Sequence, residues 1–127
     1  IRQGCDSIAL VGVENDGRPP FPERGDLTKS QAGLPSGIFK VLMSHDPTHW
    51  RRKVLPDTDI DLTLSGHTHA MQFRIGNFSP SMFLYNEWGG LYSEGERRIF
   101  VSTGTGGNIA YRWGAWPEID VLVLRRK

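Results

Sequence analysis

The four histidines of the chain lie close together and give its clearest chemical signal. They all fall within residues 45–69 of a 127-residue sequence: His45, His49, His67 and His69. Neutral imidazole is a common ligand of divalent transition metals, and a metal site gathers three or more donors from separate elements. Histidines scattered through a hydrophobic core would not cluster in this way. The cluster therefore indicates a metal site.

Three of these histidines directly follow apolar, strand-like runs. His45 follows residues 38–43, and His67 and His69 follow a second run that ends in Gly66. Side chains two residues apart point the same way on an extended chain, so a bend at Gly66 would bring both imidazoles to one point. We expect His45, His67 and His69 to be metal ligands at one edge of a sheet. The alternative is that they are loop histidines that only make hydrogen bonds.

Four further residues are candidates for supporting the ligands or for contacting a substrate: Asn15, Asp46, His49 and Arg112. Asp46 is better suited to cap the helix that begins at Pro47, although its carboxylate could also orient an imidazole. His49 comes four residues after His45, but Pro47 between them opposes a shared helix. His49 is therefore interpreted as a support for the ligands, a surface residue or a substrate contact.

The surrounding pattern predicts an α/β (α+β) fold in one domain. Strands alternate with short helices in the first half, and such a βα repeat favours parallel neighbours. Strand-length runs and a hairpin turn in the second half favour antiparallel pairing. Strands are predicted at residues 7–13, 38–43, 62–65, 98–102 and 118–124, helices at 26–33 and 48–55, and extended chain at 70–75.

Composition excludes several classes of protein. The formal net charge is +1, so no bulk electrostatic argument favours nucleic acid or an anionic membrane. No window approaches the run of about 18 apolar residues that a membrane span needs, and the chain is expected to be soluble as given. The basic run of Arg51, Arg52 and Lys53 is interpreted as a solvated face, with phosphate contact as the alternative.

Three stretches of the chain resemble the calcineurin-like metallophosphoesterases, in particular their YkuE/YaeI-type branch. They are Leu10-Val11-Gly12-Val13-Glu14-Asn15, His45-Asp46-Pro47-Thr48-His49-Trp50 and Gly66-His67-Thr68-His69-Ala70-Met71-Gln72. The specific part of the match is a histidine after one strand paired with a downstream Gly-His-x-His after the next. The resemblance extends over most of the chain.

This resemblance implies a mixed β-sheet sandwich with flanking helices and a centre of two divalent ions, drawn from Mn, Fe, Zn, Ni or Co. His45 and His67 would bind one ion, and His69 the other. It also implies hydrolysis of phosphodiesters or phosphomonoesters by a hydroxide that the two metals activate. The family's Asp-x-His, Gly-Asp and Gly-Asn-His motifs have no counterpart here. Residues 1–127 are therefore expected to be the C-terminal part of a single domain, inactive without the N-terminal half.

Two other functions remain open from the sequence. One is a stand-alone module that binds a single metal ion or a partner protein without catalysis, and the other is a purely structural β-rich domain. The expected partners are a phosphoester substrate, the N-terminal half of the domain and, through exposed sheet edges, further copies of the chain. The resemblance leaves open whether the complete protein is membrane-associated or exported.

Overall fold

A mixed six-stranded sheet organises residues 1–125, which are the residues that the computed structural model describes. In spatial order the strands run β1-β2-β3-β4-β6-β5. The four inner strands are parallel to one another, and the two outer strands pair antiparallel to their neighbours. The strands are β1 (Arg2–Gln3), β2 (Asp6–Gly12), β3 (Phe39–Met43), β4 (Leu62–Ser65), β5 (Gly90–Glu94) and β6 (Arg97–Val101).

The helical segments are short and lie in the connections between strands. The connection from β3 to β4 contains a π-helical turn that continues directly into α2. These segments are α1 (Leu27–Ser30), the π-helical turn (Trp50–Val54), α2 (Leu55–Asp57) and two 3₁₀ turns, His69–Gln72 and Pro80–Phe83. The predicted α/β class with a mixed sheet and flanking helices is therefore confirmed.

The parallel register of β3 and β4 brings their carboxyl ends to the same edge of the sheet. Val41 lies opposite Leu62, and Met43 lies opposite Leu64. The pairing continues one step past the strands, because the Gly66 amide donates to the His45 carbonyl at 3.1 Å. His45, two residues after the end of β3, thus lies beside the Gly-His sequence that follows β4.

The hydrophobic core lies between one face of the sheet and the π-helical turn. Trp50 and Val54 of that turn pack with Leu42, Ile99 and Val101 from the strands, and all five side chains are completely buried. Each such side chain contributes roughly 1.5–3 kcal/mol of transfer free energy on burial. This layer holds β3, β4 and β6 in place beneath the histidines.

The opposite face of the sheet is apolar, and among the described residues several of its large side chains are exposed, although Val41 and Leu62 at its centre are buried. Leu10, Phe39, Met43 and Leu91 are 47%, 40%, 48% and 59% exposed. Alternation along the strands places these residues on one face, since their neighbours Val11 and Leu42 face the core. Within residues 1–125, the second sheet of the predicted sandwich is not formed.

The strand predicted at Glu118–Leu124 is wrong, because this segment is irregular. Ile119, Val121 and Val123 are 88%, 85% and 70% exposed, so the alternating pattern has no apolar surface to bury. A strand also needs a neighbour to satisfy its backbone groups. Here the polar side chains make the contacts instead, as when the Thr103 amide donates to the Glu118 carboxylate at 2.6 Å.

The two predicted helices differ from the structure at their ends. Asp26 caps α1 by accepting from the Lys29 amide at 2.8 Å, but α1 has a single turn instead of two. Pro56 lies inside α2 instead of ending the helix. At the C-terminal end of α2, where carbonyls lack helical partners, the Arg97 guanidinium donates to the carbonyls of Leu55 and Thr58, each at 2.6 Å.

Among residues 1–125, no helix has the length and apolar character needed to cross a lipid bilayer.

Candidate metal centre

His45 and His67 meet at the carboxyl edge of the sheet. The Nε2 atom of His45 lies 3.0 Å from Nδ1 of His67, and the two ring centroids are 4.9 Å apart. The His45 side chain reaches solvent, whereas the His67 side chain is 13% exposed. The parallel pairing of β3 and β4 accounts for this meeting, as the sequence predicts.

The distance between these two nitrogens fits shared coordination of one metal ion. Two imidazole nitrogens bound at ~2.1 Å and at right angles around an ion lie about 3.0 Å apart. The same distance also allows a direct hydrogen bond between the rings when one nitrogen is protonated. The pair is thus compatible with a metal-ligand role.

Burial keeps the His67 imidazole neutral. The pKa of His67 lies below its usual value, first because the ring is desolvated and then because His45 and His69 oppose a further positive charge. The carboxylate of Asp46 acts in the opposite direction and is outweighed. Since only a neutral imidazole offers a lone pair to a metal, this environment suits a ligand at neutral pH.

His69 makes different contacts from those of His45 and His67. Its Nδ1 atom is 3.2 Å from the Thr103 carbonyl oxygen and 3.5 Å from Nη2 of Arg112. The same guanidinium nitrogen donates to the Thr103 carbonyl at 3.2 Å. Within residues 1–125, no group of three or more His, Cys, Asp or Glu side chains converges as a metal site. The structure therefore unites His45 with His67 and places His69 beside Arg112.

The chain bends at His67 itself and not at Gly66. His67 has a φ of 72°, and the left-handed conformation recurs at His69, Ala70, Met71 and Gln72, with φ between 47° and 58°. The expectation that residues 70–75 continue in an extended conformation is therefore wrong for 70–72. Left-handed backbone is unfavourable for residues with a Cβ, and such strain tends to persist where the surrounding structure fixes it at a functional site.

The buried amide of Gln72 fixes this left-handed segment. Its Nε2 donates to the carbonyls of Ile109 and Tyr111 at 2.9 and 2.7 Å, and its Oε1 accepts from the Ile109 amide at 2.9 Å. Gly107 packs directly against this amide, where a Cβ would come within 2.6 Å of the Gln72 side chain. Sequence reasoning assigned Gln72 no role, although it closes the Gly-His-x-His stretch.

Asp46 supports the turn that follows His45. Its Oδ1 accepts from the amide and the hydroxyl of Thr48 at 2.8 and 2.7 Å, and the residue is 1% exposed. Its second oxygen, Oδ2, lies 3.8 Å from Nε2 of His67. Asp46 therefore combines the cap with a negative charge behind the His67 ring.

His49 is completely buried and lies behind the strand end. Its Nδ1 is 2.8 Å from the Ser44 hydroxyl oxygen, and its Nε2 is 3.9 Å from Oδ1 of Asp16. Burial lowers the pKa of His49, and the attraction of Asp16 only partly opposes this effect. His49 thus contacts the residue that precedes His45 and has no exposed surface.

Asn15 lies in the loop after β2. Its backbone carbonyl accepts from the Arg24 amide at 3.0 Å, while its side-chain oxygen is buried without a hydrogen-bond partner among the described residues. Among residues 1–125, no hydrogen bond joins Asn15 to His45 or His67.

Two aromatic residues that sequence reasoning did not single out contact His67. The Phe21 and Tyr85 rings meet the His67 ring edge-on, at centroid distances of 4.8 and 5.7 Å. Both residues come from long connections whose sequences have no periodic pattern. A signal of contact with His67 was therefore absent from the sequence.

The basic run at residues 51–53 makes specific ion pairs. Arg51 donates to the buried Glu87 at 2.6 Å, and Arg52 and Lys53 donate to the buried Asp16 at 2.7 and 2.9 Å. The side chains of Arg51, Arg52 and Lys53 remain 43%, 24% and 31% exposed, as a solvated face predicts, but their charges are also paired within the chain.

This chain is an α/β domain with two histidines paired at the edge of its sheet. Comparison with known proteins identifies several relatives of it. The bovine "Transmembrane protein with metallophosphoesterase domain" is 34% identical over 130 residues, which is 98% of the chain and 29% of that relative. "Uncharacterized metallophosphoesterase YkuE" of Bacillus subtilis is 33% identical over 79% of the chain and 36% of its own length. "Phosphodiesterase YaeI" of Escherichia coli is 31% identical over 79% of the chain and 39% of its own length.

These relatives support the metallophosphoesterase family for this chain. The chain spans about a third of the length of these curated relatives. The names of the relatives imply divalent metal ions in the family. No family model and no solved structure matches the chain significantly.

Proposed function

We propose that this chain contributes metal ligands to a dinuclear, metal-dependent phosphoesterase that hydrolyses phosphodiesters or phosphomonoesters. The observation that carries the proposal is the 3.0 Å separation of His45 Nε2 and His67 Nδ1 at the carboxyl edge of the sheet. The names of the relatives support the class of reaction. His69, beside Arg112, is proposed to bind the second ion.

The residues of this chain hold and orient the centre. His45 and His67 offer two imidazole nitrogens to one ion. The Asp46 carboxylate lies 3.8 Å from Nε2 of His67, where its charge favours a proton on that nitrogen and leaves Nδ1 to face the ion. Arg112 keeps a positive charge beside His69, where it could attract a phosphoryl oxygen. When bound, a pair of divalent ions supplies an activated water nucleophile and neutralises charge on the phosphoryl oxygens.

Carboxylate ligands for two ions would come from outside this chain. Asp46 is the acidic residue described beside the imidazole pair, and one of its oxygens is already bonded to Thr48. The chain is therefore proposed to be the C-terminal part of a single domain whose N-terminal half completes the centre. The partly exposed apolar face of the sheet supports this proposal, since a partner layer would bury it.

Metal titration and phosphodiester turnover test the proposal together. Calorimetry with Mn²⁺ and hydrolysis of bis(4-nitrophenyl) phosphate are measured on residues 1–127 and on the complete polypeptide. We expect the complete polypeptide to bind two ions and turn over substrate, and residues 1–127 to bind one ion weakly and show no turnover. Equal turnover by both samples would contradict the division of the domain, and absence of turnover from the complete polypeptide would contradict the enzymatic function.

A module that binds one metal ion without catalysis is the second candidate. It is favoured by the fact that only two imidazoles converge among the described residues. This function predicts one ion per complete polypeptide and no loss of a phosphoesterase activity on metal removal. The stoichiometry in the same titration separates the two functions.

The complete protein is also proposed to be associated with a membrane. The support is the printed name of the bovine relative, a transmembrane protein with a metallophosphoesterase domain. Fractionation of cells that express the complete polypeptide tests this point: recovery in the supernatant after high-speed centrifugation would contradict it.

A further inference from the structure

Two aromatic rings border the imidazole pair and remain accessible. The rings of Phe21 and Tyr85 both lie nearly perpendicular to the His67 ring, at 4.8 and 5.7 Å between ring centroids. Phe21 is 44% exposed, and Tyr85 is half-buried. Parts of both rings are therefore accessible at the mouth of the site and can contact a bound molecule.

The loop that carries Phe21 is fixed by a buried ion cluster. Asp16 is completely buried, and it accepts from Arg52 at 2.7 Å, from Lys53 at 2.9 Å and from the Gly25 amide at 3.1 Å. Gly17 allows the same loop to lie close to the site, because a Cβ there would come within 2.9 Å of the Asp46 carboxylate and 2.6 Å of Phe21. The position of Phe21 is thus set before any ligand binds.

The loop that carries Tyr85 is fixed from the same helical turn. Glu87 is 4% exposed and accepts from Arg51 at 2.6 Å. One residue further, the Trp88 carbonyl accepts from the Thr68 hydroxyl at 2.6 Å, which joins the loop to the segment between His67 and His69.

We propose that Phe21 and Tyr85 form an aromatic rim that recognises a planar ring esterified to the phosphate of the substrate. This inference rests on the proposed function, because it assumes that phosphate binds beside His45 and His67. Rings held edge-on to His67 leave their remaining edges and faces to contact an aromatic group, in the offset or edge-to-face arrangements that aromatic pairs prefer. Fixed loops favour such contact since little ordering is required on binding.

The rim makes the second ester group the determinant of specificity. A diester with an aryl group can place its ring against Phe21 and Tyr85 while its phosphate faces the imidazoles. A diester with a methyl group in the same position cannot make these contacts. One aromatic contact is worth about a two- to tenfold difference in affinity.

A pair of substrates with the same leaving group tests the rim in the complete polypeptide. 4-Nitrophenyl phenyl phosphate and 4-nitrophenyl methyl phosphate both release 4-nitrophenol, so their kcat/KM values differ only through the second ester. We expect the wild type to prefer the phenyl ester, and Phe21→Ala or Tyr85→Ala to lower kcat/KM for the phenyl ester about two- to tenfold, chiefly through KM. The methyl ester is expected to change less than about twofold.

Matched variants and a binding measurement complete the test. Phe83→Ala is the control, because Phe83 is 76% exposed and contacts Phe78 instead of His67. Binding of diphenyl and dimethyl phosphate in the presence of Mn²⁺, measured by calorimetry, reports the ring preference without turnover. Equal losses for both esters, or a ring preference that survives both substitutions, would overturn the rim. Absence of turnover with an intact, Phe21-dependent ring preference would instead overturn the proposed enzymatic function.

Discussion

At the scale of residues, the pairing of His45 and His67 determines how this chain can bind a metal ion. His45 and His67 come from different strands, yet their nitrogens are 3.0 Å apart, while His69 makes its contacts with Thr103 and Arg112. An ion bound by this chain alone would therefore have two protein nitrogens and fill its remaining positions with water. Such a site is open to further ligands but weak.

Removing either member of the pair is expected to reduce metal binding by residues 1–127. Because each imidazole supplies one of two protein ligands, His45→Ala and His67→Ala should weaken Zn²⁺ or Mn²⁺ binding at least about tenfold. His69→Ala is the comparison and should change the affinity for the ion held by the pair less than about threefold, because the ring of His69 makes its contacts with Thr103 and Arg112. Titration calorimetry measures all three variants. A loss for His69→Ala equal to the other two would contradict the separation of His69.

The buried His49 is expected to make stability depend on pH. Its folded pKa is lowered by burial, so below the unfolded value of about 6.5 the unfolded chain takes up a proton that native His49 does not bind. The free energy of unfolding should be insensitive to this group above pH 7. It should fall, by up to about 1.4 kcal/mol per pH unit, as the pH drops from about 6.5 through the lower folded pKa.

Urea unfolding between pH 5 and 8 measures this dependence, with His49→Gln as the comparison. Burial acts to raise the pKa of Asp16, but hydrogen bonds from Lys53 and Arg52 outweigh it, so Asp16 stays ionised in this range. A Gln at position 49 should lower the slope below pH 6.5. A slope unchanged by the substitution, even with lower overall stability, would show that another group is responsible.

Sequence reasoning reached the paired histidines that follow regular strands and missed the loop residues that contact them. His45 and His67 were predictable because a βα repeat places consecutive strand ends side by side. Phe21 and Tyr85 contact His67 through connections whose path depends on the ion pairs of Asp16 and Glu87. Which acidic residue pairs with which basic one is a property of the folded chain that spacing does not reveal.

At the scale of elements, the π-helical turn Trp50–Val54 packs against the sheet and also holds two loops through ion pairs. Its apolar residues, Trp50 and Val54, are buried against the sheet, and its charged residues hold two loops. Buried residues at both ends of the segment and three charged residues between them explain why this short segment is ordered without a long helix. Hydrophobic burial fixes its position, and the ion pairs then fix the loops relative to it.

Removing the charge of Asp16 is expected to release the loop after β2. Asp16→Asn should lower the free energy of unfolding by about 1–3 kcal/mol, because it weakens hydrogen bonds from charged groups to a completely buried side chain. Glu23→Gln is the control, since Glu23 pairs with the same Arg52 and Lys53 but its side chain is 52% exposed. That control should cost less stability than Asp16→Asn, because solvent screens an exposed ion pair.

Urea unfolding monitored by tryptophan fluorescence compares the two variants. A loss for Glu23→Gln as large as that for Asp16→Asn would show that burial of Asp16 is not the cause. Equal stability of wild type and Asp16→Asn would remove the cluster as the anchor of the loop.

Element boundaries could be predicted where an element is buried and could not where its partner is missing. Residues 62–65 match β4 because Leu62 and Thr63 are enclosed by β3 and β6. Residues 118–124 have a strand pattern but no neighbouring strand in the described part of the chain. The left-handed residues 69–72 were not predictable, since the contacts of Gln72 come from residues more than 35 positions later.

At the scale of the whole molecule, the sheet has one covered face and one partly exposed face. Leu10, Phe39, Met43 and Leu91 form the exposed apolar side. Apolar patches of this kind usually mark an interface. The proposed N-terminal half of the domain would cover this side in the complete polypeptide, and further copies of the chain would do so in its absence.

Residues 1–127 are therefore expected to self-associate at micromolar concentration. The double substitution Leu10→Lys and Leu91→Lys should shift the population toward monomer, because burying unpaired charge is unfavourable. Phe83→Lys is the control, because Phe83 is similarly exposed but lies outside the sheet. Sedimentation velocity measures the distribution of species. A strictly monomeric wild type at 100 μM would contradict self-association through this face.

Attachment of both loops to one turn has a consequence for how the site can vary. Arg51 pairs with Glu87 in the loop that carries Tyr85, and Arg52 pairs with Asp16 in the loop that carries Phe21. Both loops are therefore attached to the same π-helical turn. Substituting the side chains at positions 21 and 85 should leave these ion pairs and the imidazole pair intact. The imidazole pair at the strand ends can therefore stay constant while the side chains at positions 21 and 85 change. A new ligand preference then requires substitutions only at these two positions.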